Sequence, residues 1–529
     1  MKSNDMEQID FAVEDSAPIE EPCDNPIIDE LGMELSSKPK KHQKTTEKDQ
    51  SQNSDPAVNW KETTNFQKLK SIHKRSAKIM INPPSHNEDP NPINLFRKFF
   101  DSKVINLLIN YTVTYSDFMR RNYNVCYKKS KAMEERISPT EMETFIGIWI
   151  LIGLVRIPYM NDYWSSSDLY GNKVISSAMP KDRFDALYDM LHLSCSNCPN
   201  QCIENLLPIA NKIRTNFQKN VHPGKRVCIK EVPIPYKDKP RGIHTKIFGV
   251  YDCSLSYLWN FAFVRGSYTE IENNLGKNTI LNLVDGLESR DCHLYFGKRH
   301  SSVQLAMILN DLGINFTAKI DRNEGCLPPK TKRSSIPKYY SCRDILYCAW
   351  TDKRPMHFIS NRESVSNTVK TKQRSDRAPE TLCRPKLAEK YEKFKDGAIE
   401  FNKYISSTEK FSGRVWKSIF NFLVQAAIIN SFIIYNQFTG LKKTKRNRLD
   451  TFKKSLGLDL IRYNSGKDRP QTEEPMEKMN YHRKCAHCSG SYNRTEYKCK
   501  VCNKPCHLKC YEAHLAICRV DGSGEEYEE

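Results

Sequence analysis

The chain has 529 residues, a formal net charge of +19 and a pI near 9.1, so it is long enough for several domains and its charge favours a polyanionic partner. Hydrophobic residues at 39% are enough for a packed core and exclude a wholly disordered chain. No continuous apolar run reaches the roughly 20 residues of a bilayer span, and the opening MKSNDMEQID lacks the apolar region of a secretion signal, so no membrane partner is expected.

Residues 1–88 read as a disordered tail, polar and without apolar periodicity. Its first 36 residues hold eleven acidic side chains and one base, Lys2, so the positive charge lies further along. Lys38-Pro-Lys-Lys41 reads either as a nuclear import signal or as a solvated charge run. Residues 89–220 read as helical. Val104, Leu107, Leu108 and Tyr111 recur at helical spacing, and Ser138-Pro-Thr-Glu141 caps the apolar run METFIGIWILIGLV. A further helix is expected over Asp182–Leu193.

From Val221 the pattern turns to short β-rich pieces: VCIKEVPI, HTKIFGVYDC, LSYLWNFAFV, INFTAKI and MHFIS, with a helix at Ser302–Leu312 between them. Mixed strands and helices over residues 221–440 predict an α/β core with a central sheet. WKSIFNFLVQAAIINSFIIY, Trp416–Tyr435, reads as a buried helix. Trp149, Trp164, Trp259 and Trp416 read as core side chains rather than base-stacking platforms. Residues 441–480 read as a basic linker holding Lys442, Lys443, Lys445, Arg446 and Arg448, the candidate DNA contacts. Residues 521–529 are an acidic tail.

Residues 481–520 concentrate metal-ligand chemistry. Cys485-x2-Cys488, Cys499-x2-Cys502, Cys506-x3-Cys510 and His514-x3-Cys518 form four ligand pairs, enough for two tetrahedral structural Zn²⁺ ions. His487 and His507 are further candidates, and a disulfide knot is the alternative. The segment is too short and polar to build a core, so the metal would supply its folding energy. Nineteen cysteines without a secretion signal fit a reducing compartment.

Several strings in this order resemble the piggyBac transposase family: PINLFRKFF, TEMETFIGIWILIGLVRIPYMNDYWS, MPKDRFDALYDMLHL, GIHTKIFGVYDCSLSYLWN, INSFIIY and the C-terminal cysteine spacing. The resemblance spans roughly residues 90–518. It implies an N-terminal helical dimerisation and DNA-binding region, an RNase H-like core and a C-terminal cross-brace zinc domain that contacts DNA. It also implies a carboxylate cluster holding two divalent cations, which activate the attacking oxygen and stabilise the leaving one.

The chain departs from that pattern at each carboxylate. Lys230 stands in the first Asp position of Ile229-Lys230-Glu231, and Gly297 in the second, within Tyr295-Phe296-Gly297-Lys298. In Lys395-Asp396-Gly397-Ala398-Ile399-Glu400-Phe401-Asn402, Ile399 and Asn402 stand in the last two. Catalytic Mg²⁺ is therefore not expected and no catalytic residue is assigned. Glu231, Asp396 and Glu400 are acidic neighbours of the lost positions. The expectation is a transposase-derived, catalytically inactive DNA-binding protein of the nucleus, with a homodimer implied by the resemblance. The alternatives are an active transposase that uses the displaced carboxylates, and an adaptor whose zinc domain binds chromatin proteins.

Overall fold

The computed structural model describes residues 58–66, 76–83, 90–123, 136–167, 169–193, 207–233, 244–266, 277–329, 334–374, 377–406, 415–439, 448–465, 476–486, 494–499 and 503–507. Two short strands come first, β1 (Lys61–Glu62) and β2 (Lys78–Ile79). Among the described residues six α-helices follow: α1 (Pro92–Phe96), α2 (Ser102–Tyr123), α3 (Pro139–Ile152), α4 (Lys173–Ala178), α5 (Lys181–Met190) and α6 (Leu207–Asn220). The start of α3 follows from its sequence. Ser138 Oγ accepts the Glu141 N–H at 3.1 Å, and Pro139 occupies a position with no helical donor to lose. Trp149 is buried on this helix and donates Nε1–H to Asn421 Oδ1 at 3.3 Å.

The strands are β3 (Val221–His222), β4 (Arg226–Val232), β5 (His244–Asp252), β6 (Tyr257–Gly266), β7 (His293–Phe296), β8 (Asn315–Lys319), β9 (Lys338–Cys342), β10 (Ile345–Thr351) and β11 (Pro355–Ser360). Helix α7 (Lys277–Val284) precedes β7, and α8 (Val303–Asp311) links β7 to β8. Nine strands make one sheet in the order β1-β9-β10-β11-β8-β7-β4-β5-β6. β4, β5 and β6 form an antiparallel meander, while β7 and β8 lie parallel to β4. A separate ribbon pairs β12 (Asn367–Arg374) with β13 (Arg377–Pro385). Helices α9 (Lys386–Phe394), α10 (Ile399–Ser406), α11 (Val415–Phe438) and α12 (Leu449–Ser465) follow, and the hairpin of β14 (Met476–Lys484) and β15 (Arg494–Cys499) closes the described chain.

The meander's turn is built around Asp252, which is fully buried. Its Oδ2 accepts the Gly224 N–H at 2.7 Å, and its Oδ1 accepts the N–H groups of Ser254 and Leu255 at 2.9 Å each. A Cβ on Gly224 would stand 2.7 Å from Ala77 N, so only glycine lets the chain pass there. The outer edge of the sheet, β6, is closed by a side chain. Asn430 on α11 accepts the Leu258 N–H at 3.0 Å and donates to its carbonyl at 2.9 Å, serving as a one-residue surrogate strand. By length and composition Lys417–Phe438 is apolar enough to cross a membrane, unlike the expectation from uninterrupted runs. Its most apolar window is 94% buried inside the protein; Trp259 of β6 is buried as well, with Arg290 over its ring.

Two expected boundaries are corrected. Residues 58–66 and 76–83, read as part of a disordered tail, are docked. β1 pairs with the edge strand β9, Trp60 Nε1 donates to Cys326 O at 2.7 Å, and β2 pairs with β3. Edge pairing satisfies backbone groups through strands too short to show periodicity. Residues 449–465, read as linker, form α12, whose Leu449, Phe452, Leu456 and Leu460 make one buried stripe. Helix α12 crosses α3 at two glycines: a Cβ on Gly457 would lie 2.8 Å from Leu151 Cδ2, and one on Gly147 3.0 Å from Gly457 O.

Lys453 is buried in α12. Burial pushes its ammonium down from 10.5 to about 8, with Arg156 adding to the shift and Asp450 opposing it. A lysine depressed in the folded state is charged in both states below pH 8 and binds fewer protons when folded between 8 and 10.5, so stability rises with pH across that window. Lys453→Met is expected to raise stability at neutral pH by about 2–3 kcal/mol. Urea-unfolding curves of variant and wild type should converge towards pH 10.5; parallel curves would contradict this.

Candidate functional site

Of the positions where the resemblance implies carboxylates, Lys230 and Gly297 lie at the carboxyl ends of β4 and β7, and Asn402 reaches the neighbouring Glu231 O from α10. Residues 226, 228 and 230 of β4 share one face of the sheet, and Arg226 and Cys228 lie beside His293 and Tyr295 of β7. Lys230 lies two residues beyond Cys228 on β4, and Gly297 follows Phe296, the last residue of β7. Across this face runs the junction of α9 and α10, Lys395–Ala398, drawn close by Gly397. A Cβ there would stand 2.6 Å from Cys253 Sγ.

Lys230 Nζ donates to Asp396 Oδ1 at 2.8 Å, and Lys395 Nζ holds Asp396 Oδ2 at 2.9 Å. Burial alone would raise the Asp396 carboxyl, but the hydrogen bonds and charges of Lys230 and Lys395 carry it below the usual carboxylate range. Beside the pair, Lys298 holds Asp321 at 3.2 Å. The Asn323 N–H bond and then Lys298 lower that carboxyl too. His300, edge-on to Phe248, is pushed down to about 4, chiefly by burial, with Arg299 and Lys230 adding repulsion. The imidazole is therefore neutral at pH 7.

The other substitutions differ in what they do. Gly297 is not forced by packing: its φ is −87°, and the nearest atom to an added Cβ is Tyr391 Oη at 4.0 Å. Ile399 is 60% exposed at the first position of α10. Asn402 uses both ends of its amide, donating Nδ2–H to Glu231 O at 3.2 Å and accepting Tyr251 Oη–H at 3.2 Å. An aspartate there could not make the first bond. Of the acidic neighbours, Asp396 is committed to two ammonium groups. Glu231 points to the opposite sheet face, 3.4 Å from Lys246 Nζ, and Glu400 lies in the first turn of α10. A pair of divalent cations does not fit this set, because the strand position that should ligate carries an ammonium and Gly297 offers no donor. The Lys230–Asp396 pair is not expected from the sequence; its signal there is the lysine standing where the resemblance implies a carboxylate.

Among the candidate zinc ligands, Cys485, Cys499 and Cys506 are described and buried. Ala486 N–H donates to Pro505 O at 2.8 Å, which sets the Cys485 and Cys506 loops side by side. Cys499 ends β15, and no three potential ligands gather at one point among the described residues. Cys488, Cys502, Cys510, His514 and Cys518 lie outside the described residues, as does His487. His507 is described, with its Nε2 at 2.9 Å from Arg494 O. Of the basic connector, Lys442, Lys443, Lys445 and Arg446 lie outside the described residues. Arg448 is exposed and pairs with Asp450 at 3.3 Å. Trp164 donates Nε1–H to Met179 O at 2.8 Å; the side chain of Trp416 lies outside the described residues.

A mixed sheet of this order, flanked by helices, is the architecture of a transposase-like protein. The family model described as Transposase IS4 matches residues 91–432. The chain belongs to that family and, within it, to the piggyBac-type transposases. It is 24% identical over 379 residues to human PiggyBac transposable element-derived protein 2, an alignment covering 66% of this chain and 62% of that protein. The match thus spans less than two thirds of that relative. It is 19% identical over 462 residues to human PiggyBac transposable element-derived protein 3, covering 79% of this chain and 75% of the relative. Its fold is similar to that in a cryo-EM structure of the piggyBac transposase synaptic complex with hairpin DNA, with a TM-score of 0.57 and 16% identity, covering 82% of this chain and 98% of that one.

The open surroundings of Gly297 make a specific prediction. Gly297→Asp should fold with a stability change below about 1 kcal/mol, since no neighbour must move. In the same background Lys230→Asp should be costly, because it places a carboxylate against Asp396 and removes the cation that holds it. Thermal melts of the two single variants check this; a larger loss for Gly297→Asp than for Lys230→Asp would contradict the geometry.

Proposed function

We propose that this piggyBac-type protein is a transposase-derived nuclear DNA-binding protein that has lost strand cleavage. One observation carries the reading: Lys230 occupies the strand position of the first expected carboxylate and is bonded to Asp396 at 2.8 Å. Removing even one carboxylate from a two-metal site takes away the group that positions the metal, and here several are replaced. The order of β4 to β8, a meander followed by two parallel strands, supports an RNase H-like core. The well-packed sheet around the lost site favours a retained scaffold over a decaying one.

DNA as the partner is supported by the net charge of +19 and by eight Lys or Arg against Glu496 and Glu512 between Tyr481 and Arg519. The structural neighbour, a piggyBac transposase synaptic complex with hairpin DNA, points the same way. The C-terminal hairpin is proposed to be organised by two structural Zn²⁺ ions on Cys485, Cys488, Cys499, Cys502, Cys506, Cys510, His514 and Cys518, which would fold that module. Nuclear localisation rests on Lys38-Pro-Lys-Lys41 and on the DNA-binding reading.

The test uses the full chain in two assays. Excision of a flanked reporter with Mg²⁺ or Mn²⁺ should remain at background. A mobility shift with duplex DNA should show binding that weakens steeply with salt and falls when zinc is chelated. Reporter excision, or failure to shift any DNA at low salt, contradicts the proposal.

A further inference from the structure

We infer a second contact surface for nucleic-acid phosphates at the end of the sheet opposite the lost site, formed by Lys225, Arg226, Arg362 and Lys390 and extended by the β12–β13 ribbon. It rests on the DNA-binding reading above and locates a contact which neither the zinc module nor the basic connector supplies.

The topology brings these cations together from separate parts of the chain. Arg226 and His293 open the parallel strands β4 and β7 and are register neighbours, and Lys225 O accepts the His293 N–H at 2.7 Å. Strand β11 runs antiparallel to β8 and so returns to the same end, where Arg362 Nη1 donates to Asn315 Oδ1 at 3.3 Å. Helix α9 adds Lys390, which reaches Glu363 Oε2 at 2.6 Å. Four residues of strand separate Arg226 from Lys230, about 13 Å at the usual rise, so this surface is distinct from the carboxyl-end site.

The charges at this end are unbalanced. Lys225, Arg226, Arg362 and Lys390 outnumber Glu363, Asp291 and, where the ribbon meets α9, Glu389, and all four cations bear on the buried His293. Burial, followed by those four cations, pushes the imidazole down to about 3, so it adds no positive charge of its own. It bonds Thr317 Oγ1 at 2.8 Å and stacks on Tyr295, forming a neutral floor. Burial and then repulsion from Arg226 and Arg362 lower the Lys225 ammonium, with Asp291 opposing the shift. Folding therefore gathers like charges against their own repulsion, and an arriving anion relieves it. The exposed Arg226 guanidinium sits over the Phe394 ring, 4.1 Å from its centroid, and bonds the Tyr295 side chain, so it is held in place at the surface with further N–H donors for a phosphate.

The ribbon starts at this cluster. Thr368 Oγ1 bonds Glu389, one residue before Lys390, and Tyr339 Oη donates to Asn367 Oδ1 at 2.6 Å. Among the described strands β12 and β13 pair only with each other. Residues 367–385 carry Lys370, Lys372, Arg374, Arg377 and Arg384 against Asp376 and Glu380. A two-stranded ribbon of this kind, about 26 Å long, is the right size to lie along the major groove of duplex DNA.

The experiment measures fluorescence anisotropy of a labelled random-sequence DNA duplex against salt, using the full zinc-loaded chain. Lys225→Gln/Arg362→Gln should lower the slope of log affinity against log salt by about two and weaken binding at low salt at least about tenfold. The exposed-site variant Arg226→Gln should lower the slope by about one, which keeps the test open should the double variant fold poorly. Lys225→Arg should bind as wild type. Slopes and affinities unchanged in both Gln variants overturn this surface while leaving the DNA-binding reading intact. A loss seen only with a duplex RNA probe overturns DNA as its partner, and a wild-type chain that binds no duplex overturns both readings.

Discussion

The contact between Lys230 Nζ and Asp396 Oδ1 joins the carboxyl end of β4 to the α9–α10 junction, and its sign governs what can sit there. As a source of stability it is minor. Both side chains are more than a third exposed, and such pairs contribute at most about 1 kcal/mol. Its consequence is exclusion. A divalent cation placed 4 Å from an ammonium would be repelled by about 8 kcal/mol at the effective dielectric of a protein surface. Asp396 already holds two ammonium groups at this point, so the attraction it offers a cation is offset by both. The same lysine also disfavours protonation of the neighbouring His300.

Around this pair the scaffold is tightly bonded. Asp252 ties the meander's turn to Gly224, and Asn430 completes the edge of β6 through both backbone groups of Leu258. Asn402 has turned a position expected to ligate metal into a strut between Glu231 and Tyr251. These are hydrogen bonds of buried or half-buried groups, and each would be costly to orphan. On the proposed reading, the chain keeps the packing that positions a site while the groups at the site differ from those the resemblance implies. A fold is specified by many buried contacts, whereas two-metal chemistry depends on a handful of oxygens.

Much of the sheet was legible in the sequence because its strands obey simple patterns. VCIKEV, HTKIFGVYD and MHFIS fall where β4, β5 and β11 form, and the capping serine of α3 is visible as Ser138-Pro-Thr-Glu141. Strands β1 and β2 were not legible, since two residues carry no period and their stability comes from an edge supplied by distant chain. The stripe of α12 was masked by the basic run before it and by a helix that packs through glycine, where close approach replaces bulky apolar contact. The substituted positions of the site could be found through ordered resemblance. The partner of Lys230 could not, because it lies 166 residues away and only the sheet register and the bend at Gly397 bring the two together. The cations at 225, 226, 362 and 390 were invisible for the same reason.

Direct counting of Mn²⁺ bound to the zinc-loaded chain, by electron paramagnetic resonance of free Mn²⁺, tests the central claim. The ammonium at Lys230 predicts no specific Mn²⁺ site in the sheet, with the free-ion signal following that of a buffer blank through the micromolar range. Two equivalents of Mn²⁺ bound per chain, and lost on Asp396→Asn, would contradict the account.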